Sequence, residues 1–195
     1  MPHLLEWNNA SSTLKVKRFD LALEVFTCKK CGNCCKDLFD FRRGEKRGLT
    51  LTTQEAALFS DKEIAPLAAF GFDSPNIIFL YQLSVKDCPH INIENHCNIY
   101  EKRPLICRAF PLTEGSFSTK CKLFWFLKDF PENTVKVVID WGKTQLEAEK
   151  QLDNYIIATY KSNFAEGLCS WSFDLDNGKW KLIKKYRSMN EIIEF

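Results

Sequence analysis

The run CKKCGNCC, residues 28–35, places four thiols in eight positions. No other feature narrows the options of this chain so far. Thiols this dense either bind metal, carry electrons, attack a substrate or cross-link the chain. Cys28-x2-Cys31-x2-Cys34 spaces three of them so that one tight loop can turn all three inward on a single centre. Gly32 suits such a loop, because backbone wrapping an ion often needs angles that a side chain forbids. The spacing is that of the first three ligands of a ferredoxin-type iron–sulfur run, whereas a C-x2-C pair is equally an element of a zinc knuckle. The motif therefore points to metal and leaves its identity open. Cys34 and Cys35 are adjacent, and neighbouring side chains commonly point apart, so this pair can serve two centres or leave one thiol over. A disulfide between them would be strained.

Cys88, Cys97, Cys107 and Cys121 raise the set to eight, enough for two four-ligand sites or for one with spare thiols. The ninth cysteine, Cys169, lies in the aromatic context CSWSF and reads as a buried thiol packed as a small apolar residue. His90 and His96 sit beside Cys88 and Cys97 and can each replace a thiolate at zinc, although a loop histidine is more often a surface group. Disulfide stapling is opposed on two counts. Nine is an odd number, and 195 residues with sixteen Phe and five Trp can build an apolar core without staples. The start MPHLLEWNNASS lacks a basic segment leading into an apolar one. The apolar runs IIFLY (77–81) and LFWFL (123–127) are too short to span a bilayer. The expectation is a soluble cytoplasmic protein, in which thiols stay reduced unless they hold metal or do redox work.

A formal net charge of +2, from 27 basic and 25 acidic residues, gives no strong field toward nucleic acid or membrane. The local basic runs FRRGEKRG (41–48) and KLIKKYR (181–187) accompany no nucleic-acid motif and read as solvated surface. Nucleic acid is thus not an expected partner; an unidentified protein partner or substrate protein is.

The chain has no internal repeat and no low-complexity segment. Residues 13–27 read as an extended lead-in to the cysteines, and 36–51 as a charged loop with strand character at one end. Thr52-Thr53-Gln54-Glu55 opens a capping box and a short helix ending near Ser60. DKEIAPLAAFG (61–71) reads as a second helix stopped by Gly71. SPNIIFLYQLS (74–84) reads as a strand, and 85–121 as loop with short helical turns. TVKVVIDW (134–141) is the clearest strand. Residues 143–167 form the longest helix candidate, with Leu152, Tyr155, Ile156 and Thr159 on one face. SWSFDLDNGKWKLIKKY (170–186) reads as a hairpin turning at Asn177-Gly178. The expected fold is α+β, one domain over 1–195, with a cysteine-rich metal-binding region at 25–122 and a strand–helix–hairpin extension at 123–195.

CKKCGNCCK, then CPH, then CNIYEKRPLICRAFP, then Cys121 together resemble the CxxCxxCC family of zinc- or iron-chelating proteins, whose relatives include a flagellin lysine N-methylase. The resemblance covers roughly residues 25–122. It implies Cys28, Cys31, Cys34, Cys35, Cys88, Cys97, Cys107 and Cys121 as the metal-binding set. It also implies a metal cluster, iron–sulfur before zinc, in a cytoplasmic protein. No motif after residue 122 matches a methyl-transfer enzyme.

Read by their own chemistry, Arg103 and Arg108 are permanent cations flanking Cys107. They can offset the charge of a thiolate centre as cofactor-binding groups, pair with Glu101 or Glu114, or bind an anionic substrate. Pro104 fixes a turn ahead of Cys107, while Tyr100 and Phe110 are expected to pack over the centre. The chain contains no G-x-G-x-x-G loop, P-loop, H-E-x-x-H or radical C-x3-C-x2-C motif. Three functions follow: a metal-dependent redox or protein-modifying enzyme, an electron-transfer or sensing protein, or a zinc-built interaction module without catalysis. A thiol–disulfide oxidoreductase on Cys28-Lys29-Lys30-Cys31 is a weaker fourth, because the β-α-β context is missing.

Overall fold

The computed structural model describes residues 3–8, 13–18, 24–25, 30–42, 44–110, 112–113, 116–117, 120–121, 137–140 and 143–192. The first strands are β1 (His3–Asn8), β2 (Thr13–Arg18), β3 (Glu24–Val25), β4 (Asp40–Arg42), β5 (Glu45–Arg47) and β6 (Thr50–Thr52). Helix α1 (Thr53–Ala56) leads to β7 (Ile64–Gly71) and β8 (Ile77–Leu83). Then come α2 (Leu105–Ala109), β9 (Leu112–Thr113), β10 (Ser116–Phe117), β11 (Val137–Asp140), α3 (Lys143–Asn163), β12 (Cys169–Asp174) and β13 (Lys179–Lys185). The fold is α+β. The chain divides into two compact units, Met1–Cys34 with Ile91–Lys150, and Cys35–His90 with Gln151–Phe195.

The first unit carries a four-stranded sheet in the order β2-β1-β11-β3, antiparallel except for the parallel β11–β3 pair, and the small β9–β10 hairpin. The second unit carries a five-stranded antiparallel sheet, β13-β12-β7-β8-β6, and the β4–β5 hairpin. Its core is aromatic and aliphatic. Leu67, Phe70, Phe79, Leu80 and Leu168 cluster, with Tyr155, Ile156 and Tyr160 of α3 packed against them. The Phe70 and Phe79 rings stack at 4.2 Å, and Tyr160 meets both edge-on at 4.5 and 5.4 Å. Burial holds the Tyr160 hydroxyl well above the ordinary tyrosine range, so this ring stays neutral.

Local chemistry explains most elements. Thr52 accepts the Glu55 amide and Glu55 accepts the Thr52 amide, the capping box that the sequence spells out. The strands at 77–83 and 137–140 and the helix at 143–163 fall within their expected ranges. Residues 134–136 and 141 of the expected strand lie outside the described residues. The hairpin forms over 169–185, but its turn is four residues long. Gly178 has φ +66 and its amide closes onto Asp174 O at 2.9 Å.

The expected helix over 61–71 is instead β7. Its apolar residues are needed in the middle of the five-stranded sheet, between β12 and β8, and that tertiary demand outweighs the helix propensity of the alanines. Pro66 is tolerated because β12 pairs with β7 only from Ala68 onward, and because the register against β8 slips beside it. The fully buried Gln82 takes up the backbone groups freed there. Its Nε2 donates to Pro66 O at 2.7 Å and Phe173 O at 3.2 Å, and its Oε1 accepts Gly48 N–H at 2.8 Å.

Candidate metal centre

In the first unit the cysteine run is wound by residues on the left-handed side of backbone space. Lys30 has φ +49 and Gly32 φ +71, and the chain then enters a 3-10 turn at Asn33–Cys35. Gly32 is buried against the 91–97 loop. A Cβ there would sit 2.7 Å from Asn95 O, 2.8 Å from Asn95 Cβ and 2.8 Å from Ile91 Cδ1. Only glycine therefore lets the Cys31–Cys34 turn lie this close to the loop that carries Cys97. That loop is closed at its base by a bridge between Ile91 and Cys97. Inside it the Asn92 side-chain oxygen accepts the amides of Glu94 at 3.0 Å and His96 at 2.8 Å.

Downstream, a 3-10 turn at Tyr100–Lys102 leads through Arg103 to Pro104, which caps α2. Leu105 and Ala109, four residues apart, are the buried face of α2. Cys107 lies toward the opposite side and is half-buried, as is Cys121. The Tyr100 ring carries two cations, Lys30 Nζ at 4.7 Å and the Arg103 guanidinium at 3.6 Å. Arg103 Nε also donates to Tyr100 O at 2.7 Å. Arg108 Nε is buried with no hydrogen-bond partner among the described residues. Cys28 and Glu114 lie outside the described residues.

In the second unit, residues 35–38 run antiparallel to 86–88. Leu38 N–H donates to Lys86 O at 2.7 Å, Asp37 N–H to Asp87 Oδ1 at 2.8 Å, and Cys88 N–H to Cys35 O at 2.8 Å. The Cys35 thiol hydrogen-bonds to Cys88 and pulls the Cys88 pKa down to about 6, against the opposing effect of burial and with help from His90. His90 donates through Nε2 to Leu58 O at 2.8 Å and rests on the Phe59 ring at 5.0 Å, so it fastens the link after α1. His96 is exposed, with Nδ1 3.6 Å from Glu94 Oε2. Cys169 is buried in β12 as a thiol, as its aromatic context implies.

Among the described residues, no three His, Cys, Asp or Glu side chains converge closely enough to hold an ion. The arrangement nevertheless fits a soft metal on three counts. The donors are thiols, the Cys31–Cys34 turn is cradled where a Cβ would not fit, and the buried Arg108 Nε–H lacks an acceptor among the described residues. The sequence showed the cysteines but not the Cys35–Cys88 clasp, whose only local cue is the Asp37 and Asp87 pair of turn-forming residues. Nor did it show the Asn92-centred loop, which Asn92 and Asn95 could have signalled.

Fold and site together define a small α+β protein with a thiol-rich loop region of metal-chelating type. The chain belongs to the CxxCxxCC family, described as a zinc- or iron-chelating domain, whose model matches residues 27–127. No curated protein and no solved structure matches the chain. Among the described residues no helix is long and apolar enough to cross a membrane.

Proposed function

We propose that this metal-binding protein holds an iron–sulfur cluster on cysteine thiolates. The observation that carries the reading is the Cys31–Cys34 turn, held against the Cys97 loop at Gly32, within a sequence run Cys28-x2-Cys31-x2-Cys34 of all-sulfur donors in the ferredoxin spacing. The first unit supplies six of the family's thiols, Cys28, Cys31, Cys34, Cys97, Cys107 and Cys121, more than a four-thiolate centre needs. Cys35 and Cys88, in the second unit, complete the eight. Arg108 offers its charge and an Nε–H that has no partner among the described residues to the sulfur-rich anion, and Arg103, stacked on Tyr100, adds a second cation. Such a cluster, when bound, supplies one-electron chemistry, which suits a redox protein or a protein-modifying enzyme like the lysine N-methylase relatives.

Metal and acid-labile sulfide analysis of anaerobically purified protein, read with its visible spectrum, tests this. Iron and sulfide in comparable amounts, with colour that dithionite bleaches, is the expected result. Stoichiometric zinc in a colourless, sulfide-free protein would replace it with the structural-zinc module. For the iron–sulfur protein, calorimetric titration with S-adenosylmethionine separates the two uses: a binding heat supports modification, and its absence leaves electron transfer.

A further inference from the structure

Strand β13 forms one edge of the five-stranded sheet. It pairs with β12 and has no strand on its other side among the described residues, so its outer row of N–H and C=O groups is open to pairing. Its sequence, KWKLIKK, carries four lysines and no acidic residue. Leu182 and Ile183 are 48% and 41% exposed, so the aliphatic side chains of the strand are not spent on the core. The fold also sets the basic β4–β5 hairpin beside this one, although the two lie far apart in sequence. Leu175 N–H donates to Lys46 O at 3.1 Å, Arg47 Nη2 donates to Ser172 Oγ at 2.8 Å, and Lys181 Nζ lies 3.0 Å from Glu45 Oε1. One carboxylate, Glu45, thus serves both Arg47 and Lys181. Lys179 and Lys185, both exposed, form no ion pair among the described residues. The edge therefore carries a local positive charge that the chain's net +2 conceals.

We propose that β13 receives an acidic, extended segment of a partner protein, which adds to the sheet as a sixth strand. Backbone hydrogen bonds along the open edge supply affinity, and side chains at alternate positions supply the choice of partner. Acidic residues two apart on the incoming strand meet Lys179 and Lys181, which share one face of the pleat, and an aliphatic residue between them covers Leu182. Lysines on an edge ordinarily block chance pairing; against an acidic strand they select. A second copy of the chain paired through β13 would set lysine beside lysine, which is repulsive. Single-stranded nucleic acid binds by stacking its bases on aromatic faces. Trp180, the aromatic residue of β13, is instead half-buried and packs edge-on against Phe173 with ring centroids 5.2 Å apart. An aliphatic edge with open backbone groups suits a peptide. None of the chelating thiols takes part, so the docking edge stands whichever metal the protein holds.

The test is fluorescence anisotropy of the full-length protein with a labelled, end-blocked octapeptide of alternating Glu and Val. Saturable binding that weakens with added salt is expected, and hydrogen exchange of the complex should show amides within 179–185 gaining protection. The same peptide with a central Val replaced by Pro cannot complete the ladder and should bind about tenfold more weakly or worse. A peptide of alternating Lys and Val should not bind. Lys179→Glu combined with Lys185→Glu should weaken binding of the acidic peptide about tenfold while leaving the thermal midpoint in place. Three results would each overturn the proposal: no saturable binding of the acidic peptide, equal binding of its proline version, or tighter binding of a single-stranded oligonucleotide of the same charge. The second would reduce the edge to charge attraction without strand addition, and the third would make it a nucleic-acid surface. Should the double variant fail to fold, the proline peptide and the exchange map of the wild-type protein decide alone.

Discussion

Gly32 and Glu45 show how single side chains, or the lack of one, set the two units. At Gly32 the φ of +71 and the approach of Asn95 O leave no room for a Cβ. Gly32→Ala combines left-handed strain with a backbone clash, and is expected to cost about 2–4 kcal/mol. Metal content per chain should fall with the thermal midpoint, a drop that metal analysis of the purified variant reads directly. The glycine was legible in CKKCGNCC as a loop residue. Its partner loop was not, because nothing local ties position 32 to position 95.

Glu45 is the opposite case, a buried carboxylate that sequence reading passed over as part of a solvated charge run. Its Oε2 accepts from Arg47 and from Ser172, each at 2.9 Å, and its Oε1 forms an ion pair with Lys181 Nζ at 3.0 Å. Burial pushes its pKa up, but these donors outweigh burial and leave it below the ordinary value of 4.5. Glu45 therefore contributes its full stability above that ordinary value and loses it as pH falls through the lower folded-state pKa. Glu45→Gln should destabilise by about 1–3 kcal/mol at neutral pH. The gap between wild-type and variant melting curves should narrow as the solution is acidified below the ordinary value; a gap that stays constant would refute the assignment.

At the scale of elements, legibility follows whether the deciding interaction is local. The capping box of α1 is written within four consecutive residues, and so is readable. Thr52→Ala should cost about 1 kcal/mol in urea unfolding. Tyr155 links the same region to α3: its hydroxyl donates to Phe79 O at 2.9 Å and lies 2.9 Å from Thr53 Oγ1. Tyr155→Phe should lose about another 1 kcal/mol, and in a double variant the two costs should couple rather than add, since both act where α1 begins. β7 was not readable. Its Ala-rich run with one proline has helical composition, and only strands brought in from 77–83 and 169–174 decide that it is extended. The glycine expected to end a helix, Gly71, instead ends that strand, where the Ser74 carbonyl packs against its open face.

For the whole molecule, the two units are each assembled from two separate stretches of chain, which is why no composition shift marks a boundary. The cysteines divide unevenly between them. The core of the second unit is aromatic and aliphatic and owes nothing to a metal. Removing the metal should therefore act selectively. Hydrogen exchange of the chelated protein should show lost protection at 30–34 and 91–110, while β7, β8 and β12 keep theirs. Uniform loss across both sets would show instead that the metal holds the entire fold.

The strand order β13-β12-β7-β8-β6 also sets a timetable for a ribosome. β7 and β8 leave the exit tunnel with the apolar edge of β7 open, and the strand that covers it begins only at Cys169. At translation rates of about 5–20 residues per second, that edge waits for roughly 5–20 s. Any nascent chain halted before Cys169 carries it uncovered for good. Stalled or truncated products should thus enter inclusions, where the finished chain would not.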